Sequence, residues 1–253
     1  MLSPPVIKYA LTAAIRDRLI LSMFLLMAVG ASLAIFLGSA AITESDQFAV
    51  VFAAGGLRFA GAAGLVLFIV FYLRRSFESK DVEFLLSRPV SRVSFVLSHS
   101  AAFTILATVI AFFVVLTVCA LAPKAVGMGH MLWAASLLVE YIIIVNVALF
   151  FGMVLPSAAA GSLAVFALYL LARIIGQILG TIHAGMSMTG FNVLSNTMHV
   201  ISLIVPRLDL MAQTTWLIYG PGDISFVFIL VQGVTYSALV ILATLVDLTR
   251  RQF

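Results

Sequence analysis

The stretch "MLWAASLLVEYIIIVNVALFFGMV", residues 131–154, runs for 24 residues with a single charge, Glu140. At 1.5 Å per helical residue it would extend about 36 Å, enough to cross the roughly 30 Å hydrocarbon core of a bilayer. The whole chain repeats this character: it is 63% hydrophobic and 9% charged, with 20 Phe and 10 Met among 253 residues. A mean hydropathy of +1.21 exceeds what a water-soluble core needs, so the excess apolar surface must face lipid. These features predict an all-α polytopic membrane protein and give no reason to expect a nucleic-acid partner. The one cysteine, Cys119, lies inside an apolar run and excludes a disulfide framework within the chain.

Working outward, apolar runs near 19–41, 56–73, 98–121, 131–154, 158–182 and 223–246 predict six transmembrane helices. The first follows Lys8, Arg16 and Arg18 and is too long for a signal-peptide core, so it reads as an anchored helix. Basic residues set the orientation. Lys8, Arg16, Arg18, Arg74, Arg75, Lys80, Arg88, Arg92, Arg250 and Arg251 would lie on one side, with only Lys124 and Arg207 on the other. The positive-inside rule then puts both termini in the cytoplasm, in a bacterial inner membrane as the expected setting, and an even helix number agrees.

Charges inside the spans are costly, about 2.5–3.5 kcal/mol each on insertion scales, so partners are expected. Glu140 and Arg173 each stand nine residues from the outer ends of their spans, at matching depth, and form the natural pair. Arg58 either joins them or lies at the interface, and Asn146, one or two turns inward, could extend the arrangement. Such a pair either locks helices together or lines a polar route in the outer half of the protein. The "GQILG" spacing, Gly176 to Gly180, would let a neighbouring helix approach closely. Residues 183–222 are too apolar for a free external loop and predict a re-entrant segment before the last span, buried by protein or hydrated by a cavity. His183 and His199 lack acidic or thiol partners at ligand spacing, so no metal site is expected.

The largest basic-side loop carries "ESKDVEFLLSRPVSR", residues 78–92. Val82, Leu85 and Leu86 recur at helical spacing while Glu78, Lys80, Asp81 and Glu83 take the other faces, predicting a short amphipathic helix. Pro89 ends it, and Ser91 can cap the helix that enters the membrane. Read from spacing alone, this is either a solvated loop whose arginines obey topology or a charged knob that contacts a soluble partner.

The longer segment "RRSFESKDVEFLLSRPVSRVSFVLSH" resembles the coupling region of ABC-2-type transporter permeases, where an acidic stretch leads into a Leu-Leu-x-x-Pro-x-x-Arg core, here Leu85, Leu86, Pro89 and Arg92. Lys80–Asp81–Val82 stands where Gly-Thr is usual, and His99 where a lysine is common. The branch it resembles includes copper-enzyme-maturation and export permeases. The resemblance implies a single membrane domain over 1–253, with an amphipathic interfacial helix at 1–18 and a coupling loop at 74–92. It implies an ATPase-coupling set of Glu78, Asp81, Glu83, Leu85, Leu86, Arg88, Pro89 and Arg92. "LPSAAAGS" is similar to the minor second cytoplasmic contact of such permeases.

In "SPPVIKYALTAAIRDR", Ser3 can cap the interfacial helix, Lys8, Thr12 and Arg16 form a polar stripe, and Ile7, Leu11 and Ala14 lie opposite. None of the three lysines follows a glycine, so the sequence carries no P-loop. The resemblance therefore implies two copies of a separate ATPase that hold ATP and Mg, a second permease copy as homodimer or similar heterodimer, surrounding lipid, and no cofactor in this chain. The alternatives are a non-transporting scaffold or mechanotransducer worked by such an ATPase, and an intramembrane enzyme, for which the spans offer chiefly Glu140 and two arginines.

Overall fold

The structure, a computed structural model, describes residues 2–40, 44–79, 91–121, 123, 126–184, 205–221 and 224–250, with backbone alone over 179–184. Eight α-helices follow in order: α1 Pro4–Arg16, α2 Leu19–Ser39, α3 Ser45–Glu78, α4 Arg92–Leu121, α5 Met128–Val154, α6 Ala158–Ala184, α7 Trp216–Tyr219 and α8 Phe226–Arg250. A 3-10 turn, Leu208–Leu210, precedes α7. Helix accounts for 88% of the described residues and no strand occurs among them. Six helices, α2 to α6 and α8, are long and apolar enough to cross a membrane, so the chain is an all-α polytopic membrane protein.

Helix α5 is the axle of the bundle. Its most apolar window is 72% buried, against 17–56% for the other five, because α3, α4, α6, α7 and α8 all pack on it. Seven consecutive residues, Ile143 to Leu149, are all buried, nearly two full turns, so every face meets protein there and no polar stripe is needed. By contrast α2 and α8 present Leu25, Phe36, Val234 and Leu242 outward, as helices with a lipid-facing side do.

Two helix starts differ from the spans read in the sequence. Helix α3 starts at Ser45 rather than near 56, continuing through Gly55–Gly56 because Ala53, Ala54 and Leu57 around that pair are buried against neighbours. Its 34 residues extend about 51 Å, and Arg58 falls well inside the helix instead of at its end. Helix α4 starts at Arg92, with the Ser91 hydroxyl accepting the Ser94 N–H at 3.1 Å as the expected cap.

Helix α1 has prolines in its first turn, as anticipated, but Ser3 makes no side-chain cap; its N–H donates to Ser98 Oγ of α4 at 2.8 Å. The deepest face of α1 is Val6, Ala10 and Ala14, with Ile7 and Leu11 only partly buried. The helix is thus turned from the expected apolar face because alanines allow close packing on α4.

One end of the bundle is tied together by its arginines. Arg75 pairs with Asp17 in the α1–α2 turn, Arg74 Nη2 donates to the Pro156 carbonyl of the α5–α6 turn at 2.6 Å, and Arg92 Nη1 donates to the Leu248 and Thr249 carbonyls at 2.8 and 3.1 Å. The starts of α2, α4 and α6 and the ends of α1, α3, α5 and α8 therefore converge at this basic end. The opposite end is closed by residues 205–221, which pack on α3, α5 and α6.

Candidate functional site

The site follows from two helix faces. On α5, Ser136 and Glu140 are one turn apart; on α6, Tyr169 and Arg173 are also one turn apart, and each pair shares a stripe. Helices α5 and α6 are joined by the short turn at 155–157, so their neighbouring stripes face each other. Glu140 is fully buried. Its Oε2 accepts from Arg173 Nη2 at 2.8 Å and its Oε1 accepts from Tyr169 Oη at 3.0 Å. The expected pair is thus formed, with a tyrosine on the second oxygen.

Arg173 has a further task. Its Nη1 donates to the carbonyl of Leu208 and, at 2.7 Å, to that of Met211. Arg58, across the groove on α3, donates through Nη1 to the carbonyl of Ala212. It makes no ion pair with Glu140. The three ion pairs among the described residues join Arg75 to Asp17, Arg173 to Glu140 and Arg207 to Asp209. Two intramembrane arginines therefore hold the backbone of residues 208–212, whose side chains Leu208, Met211 and Ala212 are buried. The Leu208 carbonyl already accepts the Met211 N–H at 3.0 Å, whereas those of Met211 and Ala212 have no backbone partner among the described residues, and the guanidinium groups satisfy them.

Ala212 is the most constrained point. Its φ is +45°, a left-handed conformation that costs a non-glycine residue on the order of 1 kcal/mol or more. Both sides of it are fixed: the N–H donates to Ser136 Oγ at 2.9 Å and the carbonyl accepts from Arg58. Tyr141 Oη, in turn, donates to the Arg58 backbone carbonyl at 2.9 Å, and Gly61 leaves the room for that ring, since a Cβ there would collide with the hydroxyl. Gly176 plays a similar part, but not the part its spacing suggested. It admits the Asp209 carboxylate of the folded-back segment rather than a neighbouring helix. Asp209 accepts from Arg207 Nε and Nη2 at 2.9 and 2.8 Å, which raises the Arg207 guanidinium above its ordinary pKa.

Asn146 does not extend this centre. Its Oδ1 accepts from Ser100 Oγ of α4 at 2.6 Å and its Nδ2 donates to the Ile142 carbonyl at 2.8 Å, forming a separate clasp between α4 and α5. His99 is buried among Phe95, Tyr72 and Phe103, with Nδ1 3.0 Å from the Phe95 carbonyl. Of the coupling set, Glu78 ends α3 and Arg92 begins α4 at the basic end. Asp81, Glu83, Leu85, Leu86, Arg88 and Pro89 lie outside the described residues, as do His199 and the side chain of His183. Among the described residues no group of three metal-ligating side chains occurs.

Ser136, Tyr169, Tyr141 and Asp209 were not anticipated from the sequence. Ser136 and Tyr169 could have been found, since each stands four residues before Glu140 or Arg173 on the same stripe. Against known proteins, no family model and no curated sequence matches this chain.

Proposed function

We propose that this chain is the membrane permease subunit of an ATP-driven ABC transporter, an exporter of the ABC-2 type, powered by a separate ATPase that docks on the 78–92 loop. The observation that carries this reading is the motif running from Glu78 through Leu85, Leu86 and Pro89 to Arg92, bracketed by two membrane helices at the basic end of the bundle. Ten cationic side chains assigned to one side make that end cytoplasmic by the positive-inside rule. The surrounding geometry supports a force-receiving platform. Arg92 grips the end of α8, Arg75 grips the α1–α2 turn, and Arg74 grips the α5–α6 turn, so displacement of the loop would reach five further helices at once.

In this reading Glu83 and Arg88 contact the ATPase while Leu85 and Leu86 bury the apolar face of the coupling helix. Two ATPases sandwiching two nucleotides require two permease copies. Closure of the ATPases would push the paired loops and rearrange α2, α3 and α6 about the dimer axis. The Glu140–Arg173 centre fixes the segment 205–221 at the outer end and shapes the exit.

The test is a gentle-detergent pull-down of the tagged chain from its native membrane. Recovery of a P-loop ATPase in about equal amount, lost when residues 80–90 are scrambled while the chain still inserts, supports the proposal. Recovery of the chain alone, as a monomer, overturns it.

A further inference from the structure

A groove of about 500 Å³ lies between α3, α6 and the folded-back segment, in the usual size range of small-molecule sites. Its polar lining includes Arg58, Arg173, Asp209, Gln213, Thr214 and Thr215. The charges of its wall and immediate partners do not cancel. Glu140 is taken by Arg173, and Asp209 is taken by Arg207 through both oxygens. Three arginines against two carboxylates leave one positive charge, and it belongs to Arg58, whose only hydrogen bond among the described residues goes to a neutral carbonyl.

Two donors there also lack acceptors. The Nε atoms of Arg58 and Arg173 are buried without a hydrogen-bond partner among the described residues. Those two atoms have almost no accessible surface, so it is the partly exposed remainder of each side chain, lining the groove, that can meet an anion bearing several oxygens. The apolar part of the lining comes from the same two helices. Phe59, Leu170 and Ile174 line the groove yet are 48%, 50% and 44% exposed, so its rim continues onto an apolar helix surface.

We infer that this groove binds the phosphate head group of an anionic amphiphile, whose chain leaves between α3 and α6 over Phe59, Leu170 and Ile174. Head group and chain meet the protein at a charged floor and a greasy rim respectively. The inference names a substrate class for the proposed exporter, and its transport half rests on that reading; its binding half does not.

Native mass spectrometry of the purified full-length chain measures this directly, with dioctanoyl phosphatidylglycerol, dioctanoyl phosphatidylcholine and inorganic phosphate as separate probes. The expected result is phosphatidylglycerol binding at least about tenfold tighter than phosphatidylcholine. Arg58→Gln should weaken it about ten- to hundredfold, the range of a charge-assisted hydrogen bond. Since Arg58 also holds Ala212, a second variant is needed: Thr214→Asp adds a carboxylate to the groove lining while keeping the arginine in place, and should weaken phosphatidylglycerol binding to a similar degree. Competition by inorganic phosphate at equal concentration would assign the groove to a free anion and overturn the amphiphile. Equal binding of the two lipids, or phosphatidylglycerol binding unchanged in both variants, would overturn the site. Phosphatidylglycerol binding without a recoverable ATPase would leave the site standing and remove the exporter, whereas an ATPase without such binding would do the reverse.

Discussion

The Glu140–Arg173 pair makes a quantitative demand on any variant that breaks it. Removing one partner of a buried pair strands the other, at a cost of about 3–5 kcal/mol, whereas replacing both by neutral side chains of similar volume costs far less than the sum. Glu140 is fully buried and its oxygens have two donors, Arg173 and Tyr169. Arg173→Met removes the stronger donor and also frees the Leu208 and Met211 carbonyls, so it belongs at the upper end, about 4–5 kcal/mol. Glu140→Gln keeps an acceptor for Tyr169 and leaves Arg173, 13% exposed and still bound to two carbonyls, at a lower cost of about 2–3 kcal/mol. The double variant loses the carbonyl bonds but strands no charge and should cost about 3–5 kcal/mol, giving a coupling of roughly 2 kcal/mol or more. The assay is a double-mutant cycle of unfolding by sodium dodecyl sulfate titration in mixed micelles. Additivity within about 0.5 kcal/mol would refute the argument, since it would mean the two groups do not stabilise each other.

Further consequences can be checked in the same preparations. Gly176→Ala drives a methyl group into the Asp209 carboxylate and should cost about 1–3 kcal/mol, with faster amide exchange at residues 207–212; unchanged exchange there would contradict the contact. Ser100→Ala removes the donor to buried Asn146 and should destabilise by about 1–3 kcal/mol, while Ser100→Ala with Asn146→Leu should recover part of that loss by removing both polar partners. Asp17→Asn breaks an ion pair whose side chains are 31% and, for Arg75, 61% exposed, and should change stability by less than about 1 kcal/mol. Under the proposed coupling to an ATPase, Glu83→Lys should leave folding intact but uncouple ATP hydrolysis from transport; normal coupling would remove Glu83 from the contact.

The sequence was most legible where polarity was scarce. Glu140 and Arg173 stood out because each is an isolated charge at equal depth in an apolar run, and the cost of burying either alone requires the pair that forms. Arg58 was legible as a charge but not as to partner, since the Ala212 carbonyl that receives it is backbone and leaves no mark on composition. Asn146 misled for the opposite reason: its depth suggested Glu140, but its side chain turns toward Ser100 on another helix. The second span was read from about 56 onward, yet buried flanking residues carry α3 back through Gly55–Gly56 to Ser45, because tertiary packing outweighs the roughly 1 kcal/mol propensity cost of each glycine. The turn of α1 followed the same logic, with Ala10 and Ala14 chosen over larger side chains by the closeness of α4.

The proposed coupling depends on what touches the loop between Glu78 and Arg92. A photo-crosslinking amino acid placed at Leu86, with irradiation in intact cells and identification of the captured species by mass, tests that contact without detergent. Capture of a P-loop ATPase, reduced by Glu83→Lys and absent when the same probe sits at lipid-facing Phe36, is the predicted result. A Leu86 probe that captures only lipid or a second copy of this chain would contradict the proposed coupling.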